Sequence, residues 1–287
     1  MAKKRAREAD GAAEALDNDK MVEDSDSSDD EDFEMINVDF EWFNFNEKID
    51  FHGTKSLIRQ LFDVDAQLFD VSALADLILS QSSIGSTIKT DGEESDPFAF
   101  LTALNIQEHR QKKPIAQIID YLSEKAKATQ SLAPIPELLA SGQHVGIILS
   151  ERLINMPADI VPPLYSMLID EIKDAVEDAE PYEFTHYLIV SKTYHEIAST
   201  LNVEERKKKK GKQDATLYYF HPEDEVLQKH AMAYGSYPFT KMDDAVADSK
   251  RAFQEMGVMP MGSLILIEAT KFADAVKAVG EYLSAPS

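Results

Sequence analysis

Short runs of consecutive apolar residues alternate along this chain with segments whose apolar residues recur at helical spacing. The runs are four or five residues long and predict strands, of which 145–149 and 187–190 are expected to be covered on both faces of a sheet. They occupy residues 145–149 (VGIIL), 187–190 (YLIV), 217–220 (LYYF) and 264–267 (LILI). Between them lie apolar stripes that predict helices, such as Val161, Leu164, Leu168, Ile172 and Val176. The alternation predicts an α/β domain built around a mixed sheet that is flanked by helices.

The predicted domain runs from residue 35 to residue 287, because neither a linker nor an internal repeat interrupts this part of the chain. Residues 84–90 and 98–106 predict two further strands. Thr193 and Glu196 have the spacing of a capping box, which predicts that a helix starts there and reaches Leu201. We expect a single domain, and two lobes that share one continuous sheet are the alternative.

Residues 1–34 have a different composition, with 13 acidic and 5 basic side chains, eight of the acidic ones between Val22 and Glu34. Such a segment cannot bury enough apolar surface to offset its ordering entropy, so we expect a disordered arm, first basic and then acidic. The candidate nuclear-localisation residues are Lys3, Lys4, Arg5 and Arg7. Ser27 and Ser28 are candidate phosphorylation sites, because an acidic residue stands three positions downstream of each.

The whole chain carries 52 acidic and 29 basic side chains, a formal net charge of −23, and it contains no cysteine. The lack of cysteine excludes disulfides, thiolate catalysis and cysteine-based metal sites. The negative charge argues against general nucleic-acid binding and favours a basic protein as partner. No apolar run approaches the roughly 20 residues of a membrane span, so we expect a soluble intracellular protein without membrane insertion.

No dinucleotide loop, phosphate-binding loop or nucleophile elbow indicates an active site. One segment, residues 110–115 (RQKKPI), stands where amino-group acetyltransferases of the GNAT fold place the loop that holds acyl-CoA. That loop uses small residues so that backbone N–H groups can reach a pyrophosphate at a helix N-terminus. Here Lys113 and Ile115 replace small residues, and Pro114 removes one donor. We therefore regard Arg110, Lys112, Lys113, Pro114 and Ile115 as a degenerate loop, and we expect no catalytic residue, cofactor or metal.

Three groups of residues are candidates for binding a partner. The first is the acidic arm, with Asp29, Asp30, Glu31 and Asp32. The second is the polar face of the predicted helix that follows Pro163, with Asp170, Glu171, Asp174 and Glu177. The third is the loop after the 145–149 strand, with Glu151, Ile154 and Met156. Their structural alternatives are a solubilising tail, a solvated helix face and a loop that packs on the core.

Several stretches of this sequence resemble the BCCIP family, including its fungal Bcp-type branch. The densest match is residues 145–165, VGIILSERLINMPADIVPPLY. The others are residues 38–41 (VDFE), 84–89 (IGSTIK), 100–105 (FLTALN) and 187–194 (YLIVSKTY). The resemblance covers nearly all of residues 35–283 in order, and it includes the acidic N-terminal region.

The resemblance implies a GNAT-like, that is acetyltransferase-like, twisted mixed sheet that has lost its acyl-CoA site. It implies a non-enzymatic nuclear protein that shields a basic large-subunit ribosomal protein, and that supports ribosome biogenesis and nuclear export. Export machinery and a phosphoinositide lipid kinase are further implied partners, with shuttling to the cytoplasm. No catalytic residues carry over. The alternatives are an acyl-CoA-dependent N-acyltransferase and a signalling or nuclear-export adaptor with several clients.

Overall fold

The apolar runs and the helical stripes build one open sheet with helices on both faces. The structure is a computed structural model, which describes residues 39–196, 217–240 and 258–284. The strands are β1 (Glu41–Asn44), β2 (Ser86–Lys89), β3 (Ala99–Asn105), β4 (Val145–Arg152), β5 (His186–Glu196), β6 (Leu217–Tyr219), β7 (Ala233–Tyr237) and β8 (Val258–Glu268). Their order in the sheet is β1-β2-β3-β4-β5-β8-β7, and β6 pairs with β5 beside this path. The predicted mixed sheet flanked by helices is confirmed.

The helices fall into two layers. One layer contains α1 (Phe51–Phe62), α2 (Val71–Leu79), α4 (Lys113–Lys127) and α5 (Pro134–Ala140), and the short α3 (Ile106–His109) precedes α4. The other layer contains α6 (Val161–Glu177), α7 (Glu223–Leu227) and α8 (Ala269–Leu283). Short 3-10 turns span Asp63–Leu68, Gln130–Leu132, Ala158–Ile160 and Gln228–His230.

The central strands contain continuous apolar runs because both faces of these runs meet a helical layer. Along β5, Leu188 and Val190 face the core under α1 and α4, whereas Tyr187 and Ile189 face the core under α6 and α8. Alternate residues of β4 and β8 divide between the two cores in the same way. Successive side chains of a strand point to opposite faces. Continuous apolar runs are therefore required here, and a one-sided sheet would have shown alternation instead.

Most neighbouring strands are antiparallel, and among the described residues β4 and β5 form the only parallel pair. The connection between these two strands is the helix α6, as parallel pairing requires a crossover. Of the predicted stripe, Val161, Leu164, Leu168 and Ile172 lie on the buried face of this helix, whereas Val176 is exposed.

The predicted helix that starts at Thr193 is wrong for the residues that the structure describes. The strand β5 continues through Glu196, where Thr193 pairs with Met261 on one side and with Tyr219 on the other. The capping-box spacing is a local signal, and ladder hydrogen bonds on both sides outweigh it. Residues 197–201 of that predicted helix lie outside the described residues. The division of the chain into a disordered arm of residues 1–34 and one domain stays a prediction.

Glycine at position 262 allows the ring of Tyr237 to approach the backbone of the neighbouring strand β8 closely. Tyr237 is the partner of Gly262 in the ladder, and it is almost fully buried. A Cβ atom at Gly262 would stand 2.3 Å from Cζ of Tyr237, which is closer than any van der Waals contact. By contrast, a Cβ atom at Gly280 in α8 would meet Pro162 at an ordinary 3.8 Å.

We predict that Gly262→Ala lowers the free energy of unfolding by about 1–3 kcal/mol, because the buried ring must shift. The matched control is Gly280→Ala, which should raise that free energy by roughly 0.5–1 kcal/mol through helix propensity. Urea denaturation followed by circular dichroism measures both values. A Gly262→Ala variant as stable as the wild type would contradict the tight contact.

Candidate functional site

The strands β4 and β5 separate at their carboxyl ends. Their parallel pairing covers Val145–Leu149 and His186–Val190, where it stops. Beyond that point β4 continues to Arg152 beside β3, while β5 continues to Glu196 beside β8 and β6. In open α/β sheets, ligands bind in a crevice at the carboxyl ends of parallel strands. A ligand site is therefore expected in the wedge between the two strands.

This wedge is occupied by charged side chains of the protein itself. We call Glu151, Arg152, Lys192, His221 and Glu223 the wedge cluster. Glu151 binds two cations, since its Oε2 lies 2.6 Å from Nζ of Lys192 and its Oε1 lies 3.1 Å from Nε2 of His221. Arg152 donates to both oxygens of Glu223, at 2.5 Å from Nη1 to Oε1 and 3.0 Å from Nη2 to Oε2. The five side chains are nearly fully enclosed.

Segments from three parts of the chain position this cluster. Glu151 and Arg152 end β4, Lys192 lies in β5, and His221 and Glu223 follow β6 at the start of α7. The helix α1 closes the remaining side through Gln60, whose carbonyl oxygen accepts from Nζ of Lys192 at 2.9 Å. The side-chain amide of Gln60 donates to the backbone oxygen of Arg152 at 2.8 Å.

The electrostatics of the cluster keep its acidic and imidazole groups charged despite burial. Burial lowers the pKa of His221, but hydrogen bonds to Glu151 and Glu223 outweigh it and raise this pKa to about 9. Burial raises the pKa of Glu151, but the hydrogen bond and charge of His221 and the charge of Lys192 bring it down to about 2. The pKa of Glu223 likewise falls to about 2 through His221 and Arg152, against the effect of burial.

Asp224 lies beside the cluster and behaves differently. Burial raises the pKa of this carboxyl to about 7, and its Oδ2 accepts a hydrogen bond from Oγ of Ser191 at 2.5 Å. The members of the wedge cluster bind one another, so the cluster presents a set of paired charges rather than a reactive group or an open cleft. Across residues 39–196, 217–240 and 258–284, no group of His, Asp and Glu side chains is arranged to hold a metal ion.

The residues of the predicted degenerate loop lie away from the wedge. Residues 110–112 connect α3 to α4, and residues 113–115 begin α4. They follow β3, which is antiparallel to both of its neighbours, whereas the parallel crossover is β4-α6-β5. The guanidinium of Arg110 donates to the carbonyl oxygen of Leu139, and Nζ of Lys113 lies 3.1 Å from Oδ2 of Asp70. Pro114 and Ile115 are buried in the first turn of α4, which Lys112 precedes. These contacts pack α4 against its neighbours, and the absence of acyl-CoA binding stays a prediction.

Three of the predicted partner-binding residues are buried, so their assignment to an exposed surface is wrong. Glu151 belongs to the wedge cluster, and Met156 packs in the core under α6. Glu171 accepts hydrogen bonds from the backbone N–H of Gly85 at 2.8 Å and from Oγ of Ser86 at 3.2 Å. This carboxylate fixes α6 to the start of β2. The prediction from helical spacing missed the burial of Glu171, because its hydrogen-bond donors lie more than 80 residues away in the chain.

The other candidates within the described residues are exposed. Asp170, Asp174 and Glu177 lie on the outer surface of α6. Ile154 is 87% exposed at the tip of a turn, in which the N–H of Met156 donates to the carbonyl of Leu153. Whether these residues bind a partner stays a prediction. The predictions for the arm fall outside the described residues; they concern Lys3, Lys4, Arg5, Arg7, Ser27, Ser28, Asp29, Asp30, Glu31 and Asp32.

The structure also brings together acidic residues that the sequence did not single out. The backbone of Phe98 binds Ile88 through its N–H and Leu153 through its carbonyl, so the 90–97 loop and the turn at Ile154 lie at one end of the sheet. The strand β1 begins at the same end, where Glu41 pairs with Lys89. The exposed carboxylates here, which we call the acidic end, are Asp39, Glu41, Asp91, Glu93, Glu94 and Asp96.

The sequence does contain one signal for the wedge cluster. Glu151 and Arg152 follow the apolar run of β4 with only Ser150 between, and Lys192 follows the run of β5 with only Ser191 between. Charged residues at equivalent ends of two buried strands favour mutual pairing, because isolated buried charges are costly. His221 and Glu223, however, carry no local signal.

We predict that the free energy of unfolding decreases as the pH rises from about 7 to about 9, because His221 loses its proton in this range. Its folded pKa of about 9 exceeds the ordinary 6.5, so its contribution is complete below pH 6.5 and is lost as the pH rises through 9. The loss across this window is about 2–3 kcal/mol in the free energy of unfolding. The pKa of Asp224, about 7 in the folded protein, places its own contribution mostly below this window.

Urea denaturation at a series of pH values tests this prediction. A His221→Gln variant should lose most of the slope between pH 7 and pH 9, whatever its absolute stability. A His230→Gln variant, altered in the turn after α7, should keep it. An unchanged slope in His221→Gln would show that another group is responsible.

Among the described residues, no helix is both long enough and apolar enough to cross a bilayer.

Comparisons with known proteins agree on one family. The model of a family described as BCCIP matches residues 35–227. The Protein BCP1 of Gibberella zeae is 62% identical over 285 residues, which cover 99% of each chain. The Protein bcp-1 of Neurospora crassa is 57% identical over 293 residues, again covering 99% of each chain. The crystal structure of BCP1 from Saccharomyces cerevisiae superposes with a TM-score of 0.59 at 27% identity, covering 89% of this chain and 95% of that one.

Proposed function

This chain belongs to the BCCIP family, and we propose that it acts as a non-enzymatic, acidic nuclear escort for a basic protein of the large ribosomal subunit. In this role it supports ribosome biogenesis and nuclear export. Lys3, Lys4, Arg5 and Arg7 direct it to the nucleus, from which it shuttles to the cytoplasm. Export machinery and a phosphoinositide lipid kinase belong to the same proposal as further partners.

The observation that carries this proposal is uncompensated negative charge. The net charge is −23. The most enclosed basic side chains each form an ion pair with a buried carboxylate; they are Lys89, Arg152 and Lys192. The exposed carboxylates of α6 and of the acidic end are therefore not neutralised by these cations. A surface of this kind attracts a basic partner over long range and speeds their encounter.

Two features support a protein without catalysis. The wedge cluster fills the gap between β4 and β5, where a ligand of an open sheet would bind, with side chains that bind one another. The 110–115 loop is held by contacts with Asp70 and Leu139 rather than left open at the start of α4. We also propose that the fold is GNAT-like, since a parallel pair that diverges between antiparallel blocks is the arrangement expected of it.

We assign the partner-binding surface to the exposed carboxylates of α6 together with Ile154. Asp170, Asp174 and Glu177 supply charge, and the exposed side chain of Ile154 supplies an apolar contact. An adaptor with several clients is the alternative, and it would use the same surface, with the exposed Ile154 as an apolar contact.

We predict that the purified chain binds a basic large-subunit ribosomal protein at low salt, and that the Kd rises about tenfold or more as ionic strength goes from about 0.05 M to about 0.3 M. Replacing Asp170 and Asp174 by Asn and Glu177 by Gln should weaken binding and flatten this salt dependence. Fluorescence anisotropy with a labelled client measures both effects.

The matched control removes the same charge from the opposite helical layer, by replacing Asp120 with Asn and both Glu124 and Glu137 with Gln. These residues are exposed on α4 and α5. Equal weakening by both triple variants would contradict the assignment to α6. A wild-type chain that retains no basic ribosomal protein at low salt would contradict the function itself.

We predict that calorimetric titration of the wild-type chain with acetyl-CoA gives no binding heat, because the wedge is filled and the 110–115 loop is engaged. The titration is repeated with a known acyl-CoA-binding acetyltransferase as a positive control. Binding with a micromolar Kd would instead favour the N-acyltransferase.

A further inference from the structure

The connection between β2 and β3 carries a hydroxyl next to a regular arrangement of acids. Thr90 follows the last residue of β2, and acidic residues stand one, three and four positions downstream, at Asp91, Glu93 and Glu94. All three of these side chains are exposed, and Thr90 itself is half-buried. Protein kinases that select acidic sites read carboxylates at such downstream positions, the third above all.

The loop presents these acids on a fixed backbone. Gly92 adopts a positive φ of 79°, and the N–H of Ser95 donates to the carbonyl of Gly92 at 3.2 Å, which closes a tight turn. From below, Nζ of the fully buried Lys89 donates to the carbonyl of Glu93 at 2.5 Å. The carboxylate of Asp50, 2.6 Å from Nζ, holds this lysine in place. The backbone is thus anchored inward while the side chains of Glu93 and Glu94 remain in solvent.

The hydroxyl of Thr90 is also free of the core. Its Oγ1 makes a long hydrogen bond to Oδ2 of Asp91, at 3.4 Å, which lies at the surface. Thr193 provides the contrast within the described residues. It too has an acid three positions downstream, Glu196, but it is fully buried in β5 between two paired strands. Sequence pattern and accessibility therefore coincide at Thr90 and not at Thr193. They also coincide at the exposed Thr240, which has Asp243 three positions downstream, so Thr240 must be removed in the test.

We propose that Thr90 is a phosphorylation site for an acid-selecting Ser/Thr protein kinase with ATP as the phosphoryl donor. The Oγ1 atom of Thr90 forms a bond to the γ-phosphorus, and the bond from that phosphorus to the β–γ bridging oxygen breaks. ADP leaves, and the hydroxyl proton passes to the catalytic carboxylate of the kinase. The reaction needs no further reactant.

The effect of this phosphate is electrostatic. It adds about −1.5 to −2 of charge to the acidic end. The cation that lies nearest in sequence, Lys89, is fully buried and already bound to Asp50, so it offers no exposed partner for the phosphate. The fold around the loop therefore stays as it is while the acidic end becomes more negative. Tighter binding of a basic client would rest on the proposed function, whereas the modification itself does not.

The experiment uses the folded full-length chain with Ser27→Ala, Ser28→Ala and Thr240→Val, so that these other candidate sites do not contribute. Casein kinase 2 and Mg-ATP are added, the phosphate is counted by intact mass, and the site is located by tandem mass spectrometry. We expect phosphate on Thr90, and we expect the further change Thr90→Val to remove it. The control Thr270→Val alters an exposed threonine that has no acid one or three positions downstream, and it should leave incorporation unchanged.

The acids provide a second, independent measurement. Replacing Glu93 and Glu94 together by Gln should lower the initial rate at Thr90 about tenfold or more, since the kinase loses the carboxylates it reads. Circular dichroism checks that each variant is folded. Absence of phosphate on Thr90 in the folded chain, or its appearance only after denaturation, would overturn the proposal. Binding of the basic client by the unmodified chain is measured separately, so failure here leaves the proposed function untouched.

Discussion

The middle of this structure depends on the two ion pairs that the carboxylate of Glu151 forms. The sheet changes from antiparallel to parallel pairing at β4 and β5, and the two strands then diverge. The gap cannot be closed by ladder hydrogen bonds, so side chains must close it. Glu151 binds Lys192 of β5 with one oxygen and His221, from the segment after β6, with the other. A second pair, Arg152 and Glu223, ties the same segment to β4. Buried ion pairs contribute little net stability when compared with apolar packing, but loss of one partner leaves an uncompensated charge. The cluster therefore favours one closed arrangement over the alternatives.

Charge is treated in opposite ways inside and outside this molecule. Inside, carboxylates and cations meet at short distances in the wedge cluster, at Asp50 with Lys89 and at Asp65 with Lys125. Outside, α6 and the acidic end carry carboxylates that these cations do not reach. The first arrangement makes the protein insensitive to salt in its interior, since buried pairs are screened little. In the function proposed above, the second makes association with a basic partner strongly sensitive to salt. The proposed function thus combines a salt-resistant fold with salt-controlled binding.

The sequence predicted the features that depend on local periodicity. The apolar runs of β4, β5 and β8 and the stripe of α6 were recognisable because a strand covered on both faces and an amphipathic helix each leave a regular pattern. Features that depend on distant pairing were missed. Glu171 looks like its neighbours on the polar face of α6, and only the donors at Gly85 and Ser86, brought beside it by the sheet, make it a buried residue. Thr193 and Glu196 look like a helix start until strands β6 and β8 bind both sides of β5. The wedge cluster joins residues about 70 positions apart, so no local pattern could reveal His221 and Glu223 as partners of Glu151 and Arg152.

The position of β8 delays completion of the sheet while this protein is being synthesised on the ribosome. Among the described strands β8 is the last to be synthesised, yet it lies between β5 and β7 rather than at an edge. His186 pairs with Glu268, so this end of β5 lacks its partner on one side until 82 further residues have been made. At roughly 5–20 residues per second, that bare strand edge persists for about 4 to 16 seconds. During this interval the nascent chain exposes the kind of surface on which other chains stack. Neighbouring nascent chains are each rich in carboxylates. Their electrostatic repulsion then opposes stacking on this edge before the fold is complete.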